Sequence, residues 1–437
     1  MRPKITRFWV KNFKSLKDID MQLKDFNLLI GPNASGKTNI IEAFKLLTKI
    51  YSSDPHINPF LEWWGYQNVA WRGAENLPII IGYEIQVSKY KAQFEIGISG
   101  TGGRFEILRE SVNVPEVVKL EREGSKVTVN HDPNFIDEIW EKLKEIPHAF
   151  GYDFTKLKKE ELITQTAEIK EGQGPLYRMG WSATYSKDIA VMTLGIIPEQ
   201  RIFKIISPVE FQIKNTGNKN ITSSFVMPLV ALILKPFDIV TLKHFDYKAI
   251  RSPQPIRKER KLSEDGSNLA NVFHTLYMEK NGVPNRIQTA LESVFGENIT
   301  VKPELTEDGR TYIKVSEKDF ELRPTMVADG LWKLLAIMIA IETEPTLILI
   351  DELENSLHPE AIEYIVNELK NSNSAVIATT HSPAVVDIVN PEDLILVDKN
   401  EEGATIVRRV AEPEKVKKWL SERGITLSEG WLYGELS

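Results

Sequence analysis

A chain of 437 residues with net charge −7 and no cysteine has the length for two or three domains and a large core. Its acidic balance excludes nucleic-acid binding through bulk charge and leaves only a local patch for such a role. The lack of cysteine excludes a disulfide framework and Cys-ligated zinc or iron–sulfur sites; it suits a reducing cytoplasm, where the protein is expected, and equally a heat-adapted source.

Met1-Arg2-Pro3-Lys4 leads straight into a strand without a signal peptide's apolar core. Residues 5–10 read as that strand and residues 26–30 as a short buried one. Gly31-Pro32-Asn33-Ala34-Ser35-Gly36-Lys37-Thr38 follows, and then Ile40, Phe44, Leu47 and Tyr51 recur at helical spacing. Residues 51–77, rich in Pro, Gly, Asn and Trp (Trp63, Trp64, Trp71), read as an irregular connection whose tryptophans belong to packing rather than to base stacking. From Ile79 the period becomes two: Ile79, Ile81, Tyr83, Ile85 and Val87 share a face. Phe94, Ile96, Ile98, Phe105, Ile107, Val127 and Val129 continue the pattern as an antiparallel meander with turns at 99–103 and 123–124.

Helices are predicted over 135–146, 160–170, 225–234, 268–278 and 286–295, with strands at 239–245, 301–302 and 311–315. Residues 330–343 form an apolar helix. Its longest apolar run, 331–341, is broken by Lys333 and stopped by Glu342, so no membrane span is expected. Residues 346–350 and 375–379 are strands apolar on both faces, which places them inside a parallel sheet. A helix over 359–369 lies between them, and strands at 394–397 and 405–410 close the sheet edge.

Residues 31–38 fit G-x-x-x-x-G-K-[ST] between a strand and a helix, the context a phosphate-binding loop needs. Glycines let successive N–H groups converge on one anion, and the helix N-terminus adds partial positive charge. Lys37 can reach the outer phosphates and the Thr38 hydroxyl can hold Mg²⁺. Asp351 and Glu352 end a buried strand; we assign Asp351 to the metal and Glu352 to the base that activates water. His381 ends the next buried strand, where it can hydrogen-bond a γ-phosphate.

Asn12-Phe13-Lys14-Ser15, the 31–38 loop, Ala328-Asp329-Gly330, Asp351-Glu352-Leu353-Glu354-Asn355-Ser356-Leu357-His358-Pro359 and Thr380-His381-Ser382 occur in this order. Together they resemble the ABC-type ATPase heads of the RecF/SMC/OLD group, and more narrowly the compact prokaryotic ATPases of OLD-family and related phage-defence systems. The resemblance implies an α/β fold: an ABC-type P-loop ATPase head, with a mixed central sheet, an antiparallel β subdomain and an α-rich insert. It divides the chain into 1–130, an insert over 131–300 that offers a dimer or partner surface, and 301–437. It implies ATP and Mg²⁺ as cofactors, with nucleotide contacts from Asn33, Ala34, Ser35, Gly36, Lys37, Thr38 and Asn39. It also implies a homodimer or higher oligomer closed through the heads, each loop facing the partner's Ala328, Asp329 and Gly330. Metal ligands would be Thr38, Asp351 and, as the nearest glutamine, Gln67; Glu352, His381 and Lys37 would be catalytic. The family usually has Ser where Ala328 stands, so one hydrogen bond to the γ-phosphate is missing, and slow hydrolysis follows as an alternative expectation.

Lys243, His244, Lys248, Arg251, Arg257, Lys258, Arg260 and Lys261 form a basic run broken by Pro253 and Pro255. It reads either as a solvated loop or as a contact for nucleic acid or a partner. The residues after Thr380-His381-Ser382 are expected to be too few for a nuclease domain, and beyond the lone Asp18-Ile19-Asp20 no Asp-x-Asp cluster or His-Asn-His arrangement for cutting nucleic acid is evident. The expected function is therefore an ATPase whose nucleotide-gated dimer regulates a separate effector or nuclease in anti-phage defence or DNA repair. The alternative is a slowly hydrolysing scaffold that holds an effector inactive. A transporter subunit is disfavoured by the 354–359 stretch and the degenerate signature turn.

Overall fold

The computed structural model describes residues 4–52, 57–87, 90–137, 148–149, 152–153, 164–168, 238–318 and 320–435. The chain forms two compact units, each assembled from separated stretches: unit 1 from residues 1–17 and 46–237, unit 2 from residues 18–45 and 238–437. The first elements are β1 (Lys4–Phe13), β2 (Leu16–Gln22), β3 (Phe26–Ile30) and helix α1 (Lys37–Ser52). Next come β4 (Ile79–Val87), β5 (Tyr90–Ser99), β6 (Glu106–Val114), β7 (Val118–Glu123), β8 (Lys126–His131), β9 (His148–Ala149), β10 (Tyr152–Asp153) and β11 (Thr164–Glu168). The chain continues with β12 (Ile239–Leu242), α2 (Tyr247–Ile250), β13 (Gln254–Pro255), α3 (Leu269–Lys280), α4 (Asn285–Phe295), β14 (Ile299–Leu305), β15 (Arg310–Glu317) and β16 (Phe320–Leu322). The rest is α5 (Asp329–Glu342), β17 (Leu347–Ile350), α6 (Pro359–Lys370), β18 (Ala375–Thr380), α7 (Pro383–Ile388), β19 (Leu394–Lys399), β20 (Thr405–Arg409), α8 (Pro413–Arg423) and α9 (Leu427–Leu432).

The strands of unit 1 form an antiparallel sheet ordered β11-β8-β7-β6-β5-β4-β1. The hairpins from β4 to β8 follow the period-two pattern, with Ile79, Ile81, Tyr83 and Ile85 buried on one face. One expectation is corrected here: residues 164–168 form strand β11, antiparallel to β8, where a helix over 160–170 was predicted. Thr164 and Thr166 are β-branched, and the open edge of β8 offers their backbone a ladder, so sheet pairing overrides the helical spacing. The predicted helix over 225–234 and most of that over 135–146 lie outside the described residues. So does most of the expected insert; its last part, residues 238–300, belongs to unit 2.

Unit 2 carries the second sheet, ordered β12-β17-β18-β3-β19-β20. The first five strands are parallel and β20 turns back antiparallel along β19. Every residue of β3, β17 and β18 is buried, which is why these segments read as near-continuous apolar runs rather than alternating ones. Helix α5 is buried from Leu331 to Ile341, as expected of a helix that is apolar all round. It shares a core with α3, α4 and α6, into which Phe273, Leu291, Trp332 and Ile365 pack fully buried. Among the described residues no helix is long and apolar enough to cross a membrane.

Candidate functional site

Strand register alone assembles the site. Leu242 stands opposite Ile350, Ile350 opposite Ala378, and Thr380 opposite Ile30. The residues that leave the sheet next are Lys243, Asp351, His381 and Gly31. All four emerge at the carboxyl ends of neighbouring parallel strands, the edge at which open α/β sheets bind ligands. Lys37, Thr38, Asp351, Glu352 and His381 all lie in unit 2.

In the loop, Asn33 and Ala34 are exposed, Ser35, Gly36 and Lys37 are buried, and Thr38 and Asn39 are half-buried at the start of α1. Ala34 holds φ +61° without being glycine, a conformation that costs about 1 kcal/mol and that surrounding contacts must impose. A Cβ on Gly31 would stand 1.9 Å from the Val397 carbonyl oxygen, so only glycine fits there. The Lys37 ammonium donates to the Gly31 and Pro32 carbonyls at 2.8 and 3.0 Å and lies 3.5 Å from His381 Nδ1. Burial lowers its pKa, while Asp351, Glu354 and Glu352 pull it back up. Ser35 Oγ is buried with no partner among the described residues. An orphaned buried hydroxyl costs about 1–3 kcal/mol, which an anion in the loop would relieve; on that ground the loop fits a phosphate group.

Thr38 Oγ1 donates to Asp351 at 3.2 Å, so the two expected metal ligands already touch. Thr379 Oγ1 donates to Asp351 Oδ1 at 2.7 Å and accepts from the Glu352 N–H at 2.8 Å. One threonine therefore orients both carboxylate residues. Glu352 adopts φ +52°, and its side chain accepts from Asn355 Nδ2 at 2.5 Å. Glu354 accepts from the His381 N–H at 2.7 Å and from Thr380 Oγ1 at 2.8 Å, tying the His381 loop to the end of β17. A threonine hydroxyl beside one buried carboxylate suits Mg²⁺, which completes its oxygen octahedron with phosphate and water.

Ala328 caps α5 without a side-chain hydrogen bond. The turn is held instead by Arg251, which donates to the Pro324 and Val327 carbonyls at 3.1 and 3.0 Å and pairs with Asp329. A Cβ on Gly330 would meet the Ser356 carbonyl oxygen at 2.7 Å, so the turn packs against the loop that carries Glu352. Lys333 reinforces that contact by donating to the Glu352 and Asn355 carbonyls at 2.8 and 2.9 Å. Burial pushes its pKa down to about 8, against the pull of Glu354, Glu352 and Asp351.

Between pH 8 and 10.5 the unfolded chain therefore binds more protons at Lys333 than the folded one, so this residue adds stability as pH rises through that window. The neutral amine can still donate both bonds. We expect wild type to gain up to about 3 kcal/mol on Lys333→Met between pH 7.5 and 10.5. Denaturant unfolding of both proteins across that range checks it; parallel curves contradict it.

Several residues escaped the sequence reading. Thr379 gave no signal beyond its strand. Lys333, a lone lysine in an apolar helix, and Glu354, the third acid after β17, were visible without an evident role. Gln67, by contrast, is exposed in the short helical turn Tyr66–Asn68 of unit 1. Four of the eight residues of the basic run make ion pairs within unit 2: Lys243 with Glu42, Arg251 with Asp329, and the exposed Lys258 and Arg260 with Glu279.

Residues 4–220 match the family model described as "AAA ATPase domain". Residues 236–387 match "AAA domain, putative AbiEii toxin, Type IV TA system". The DNA replication and repair protein RecF of Vibrio parahaemolyticus is 48% identical over 44 residues, 10% of this chain and 12% of that protein's length. Among solved structures, the Smc head bound to the C-terminal winged-helix domain of ScpA aligns with TM-score 0.49 and 13% identity over 95% of this chain and 99% of that one. The SMC head domain from Thermotoga maritima aligns with TM-score 0.41 and 12% identity over 94% and 100%. An Smc head from Pyrococcus furiosus gives 0.46 and 13% over 96% and 99%. The loop at 31–38, the mainly parallel strand order of unit 2 and the strand-end carboxylates together make a mixed α/β fold of the P-loop kind.

Proposed function

We propose that this protein binds ATP with Mg²⁺ and hydrolyses it, and that nucleotide-gated dimerisation through its heads regulates a separate effector in anti-phage defence or DNA repair. The observation that carries the reading is the direct Thr38–Asp351 contact beside Lys37 and His381. It joins a phosphate loop to a strand-end carboxylate as a metal–triphosphate site requires. In this reading Lys37, Ser35 and the loop N–H groups hold the phosphates. Thr38 and Asp351 hold Mg²⁺, whose chemistry would be to shield the phosphate charge. Glu352 orients and deprotonates the attacking water, and His381 hydrogen-bonds the terminal phosphate. Gln67 remains a proposed metal ligand.

A second reading is an ATP-clamped scaffold that barely hydrolyses, favoured by the absence of a hydroxyl at Ala328. Mass measurement with and without ATP, paired with phosphate release, separates the two. A mass doubling with ATP and measurable turnover support the regulator; doubling without turnover supports the scaffold. An unchanged mass in every nucleotide state contradicts both.

A further inference from the structure

Lys243 leaves the edge strand β12 and is buried. Its ammonium lies 3.3 Å from Glu42 Oε1 and 3.9 Å from Asp351 Oδ2. Glu42 follows Thr38 by one turn of α1, on the same helix face. The ammonium thus bridges the helix that begins in the phosphate loop and the carboxylate that Thr38 touches. The backbone fixes it there: the Lys243 N–H donates to the Glu264 carbonyl at 2.7 Å, and the Asp351 N–H donates to the Leu242 carbonyl at 3.0 Å. A second pair, Lys45 with Glu264 at 2.5 Å, ties the same segment to α1.

We propose that Lys243 is a positioning residue that sets the divalent-cation requirement of the nucleotide site. It neutralises Asp351 when no cation is there and competes with the cation for that carboxylate, while Glu42 draws it away. The inference rests on Thr38 and Asp351 being the magnesium pair. The side chain of Asp351 is only 5% exposed, and a buried carboxylate without compensation is strongly disfavoured. Two threonine hydroxyls and one ammonium provide that compensation. A cation arriving at the same oxygens meets a fixed positive charge close by, and like charges in a low-dielectric setting repel strongly. The shorter distance to Glu42 shows where the ammonium's attraction is mainly committed. Removing the lysine and removing its counter-charge should therefore shift the cation requirement in opposite directions.

The test is binding of a fluorescent ATP analogue titrated with MgCl₂, for wild type, Lys243→Met, Lys243→Arg and Glu42→Gln. Lys243→Met is expected to lower the half-saturating Mg²⁺ concentration at least about threefold, and Glu42→Gln to raise it by a similar factor. Lys243→Arg stays close to wild type. Unchanged values, or shifts of the same sign in Lys243→Met and Glu42→Gln, overturn the proposal, because a merely structural lysine would weaken the site either way. If Lys243→Met does not fold, the direction of the Glu42→Gln shift decides. Failure of the underlying reading looks different: wild type itself would bind the analogue without any response to Mg²⁺, or would not bind it.

Discussion

Glu352→Gln lowers ATP turnover by about two to four orders of magnitude while ATP affinity stays within a few-fold of wild type. The substitution keeps size and hydrogen-bonding reach but removes the base, so water loses its proton acceptor and little else changes. The backbone at Glu352 is set independently of its side chain: the N–H is held by Thr379 and the carbonyl by Lys333. A glutamine should therefore sit where the glutamate does. Its left-handed φ of +52° stores strain at the residue whose aim matters most. Single-turnover phosphate release beside equilibrium binding checks the split between chemistry and affinity. Equal turnover in variant and wild type, well above background, would remove Glu352 from the chemistry. Equal near-zero rates in both would favour the scaffold reading.

Lys37→Ala weakens nucleotide binding by about two to three orders of magnitude, from the loss of charge-assisted bonds worth about 1.5–3 kcal/mol each. Lys37 is buried, so its attraction to a triphosphate acts through a lower local dielectric than that of a solvated lysine. Lys37→Arg should not rescue, because the residue is 4% exposed and a planar fork does not reproduce the compact ammonium that bonds the Gly31 and Pro32 carbonyls. Titration calorimetry with ATP gives the answer directly; affinity within threefold of wild type would mean that the loop is not a phosphate site.

Much of this was legible in the sequence because the relevant signals are local. The phosphate loop declares itself by glycine spacing between a strand and a helix. The inner strands declare themselves by apolar runs that Asp351 and His381 end abruptly. Contacts made across register are a different matter. Nothing near Thr379 announces that it orients Asp351, since that role follows only from β18 running two residues beyond the end of β17. Lys243 and Arg251 belong to one basic run in the sequence, read as a solvated loop or as a nucleic-acid or partner contact, yet pairing across the fold separates them: one faces Asp351 and the other Asp329. Residues 164–168 were misread as helix because a short polar segment takes its structure from the edge it meets.

The inner strand β3 sits between two strands made much later in the chain. Asn27 donates to the carbonyl of Val376, 349 positions further along the chain. At ribosomal speeds of about 5–20 residues per second, the phosphate loop waits about 20–70 s after synthesis before its neighbouring strand exists. Throughout that interval β3 is an unpaired apolar ribbon with both edges open. A nascent chain stalled before residue 375 should accordingly need a chaperone to stay soluble and should gain nothing from ATP.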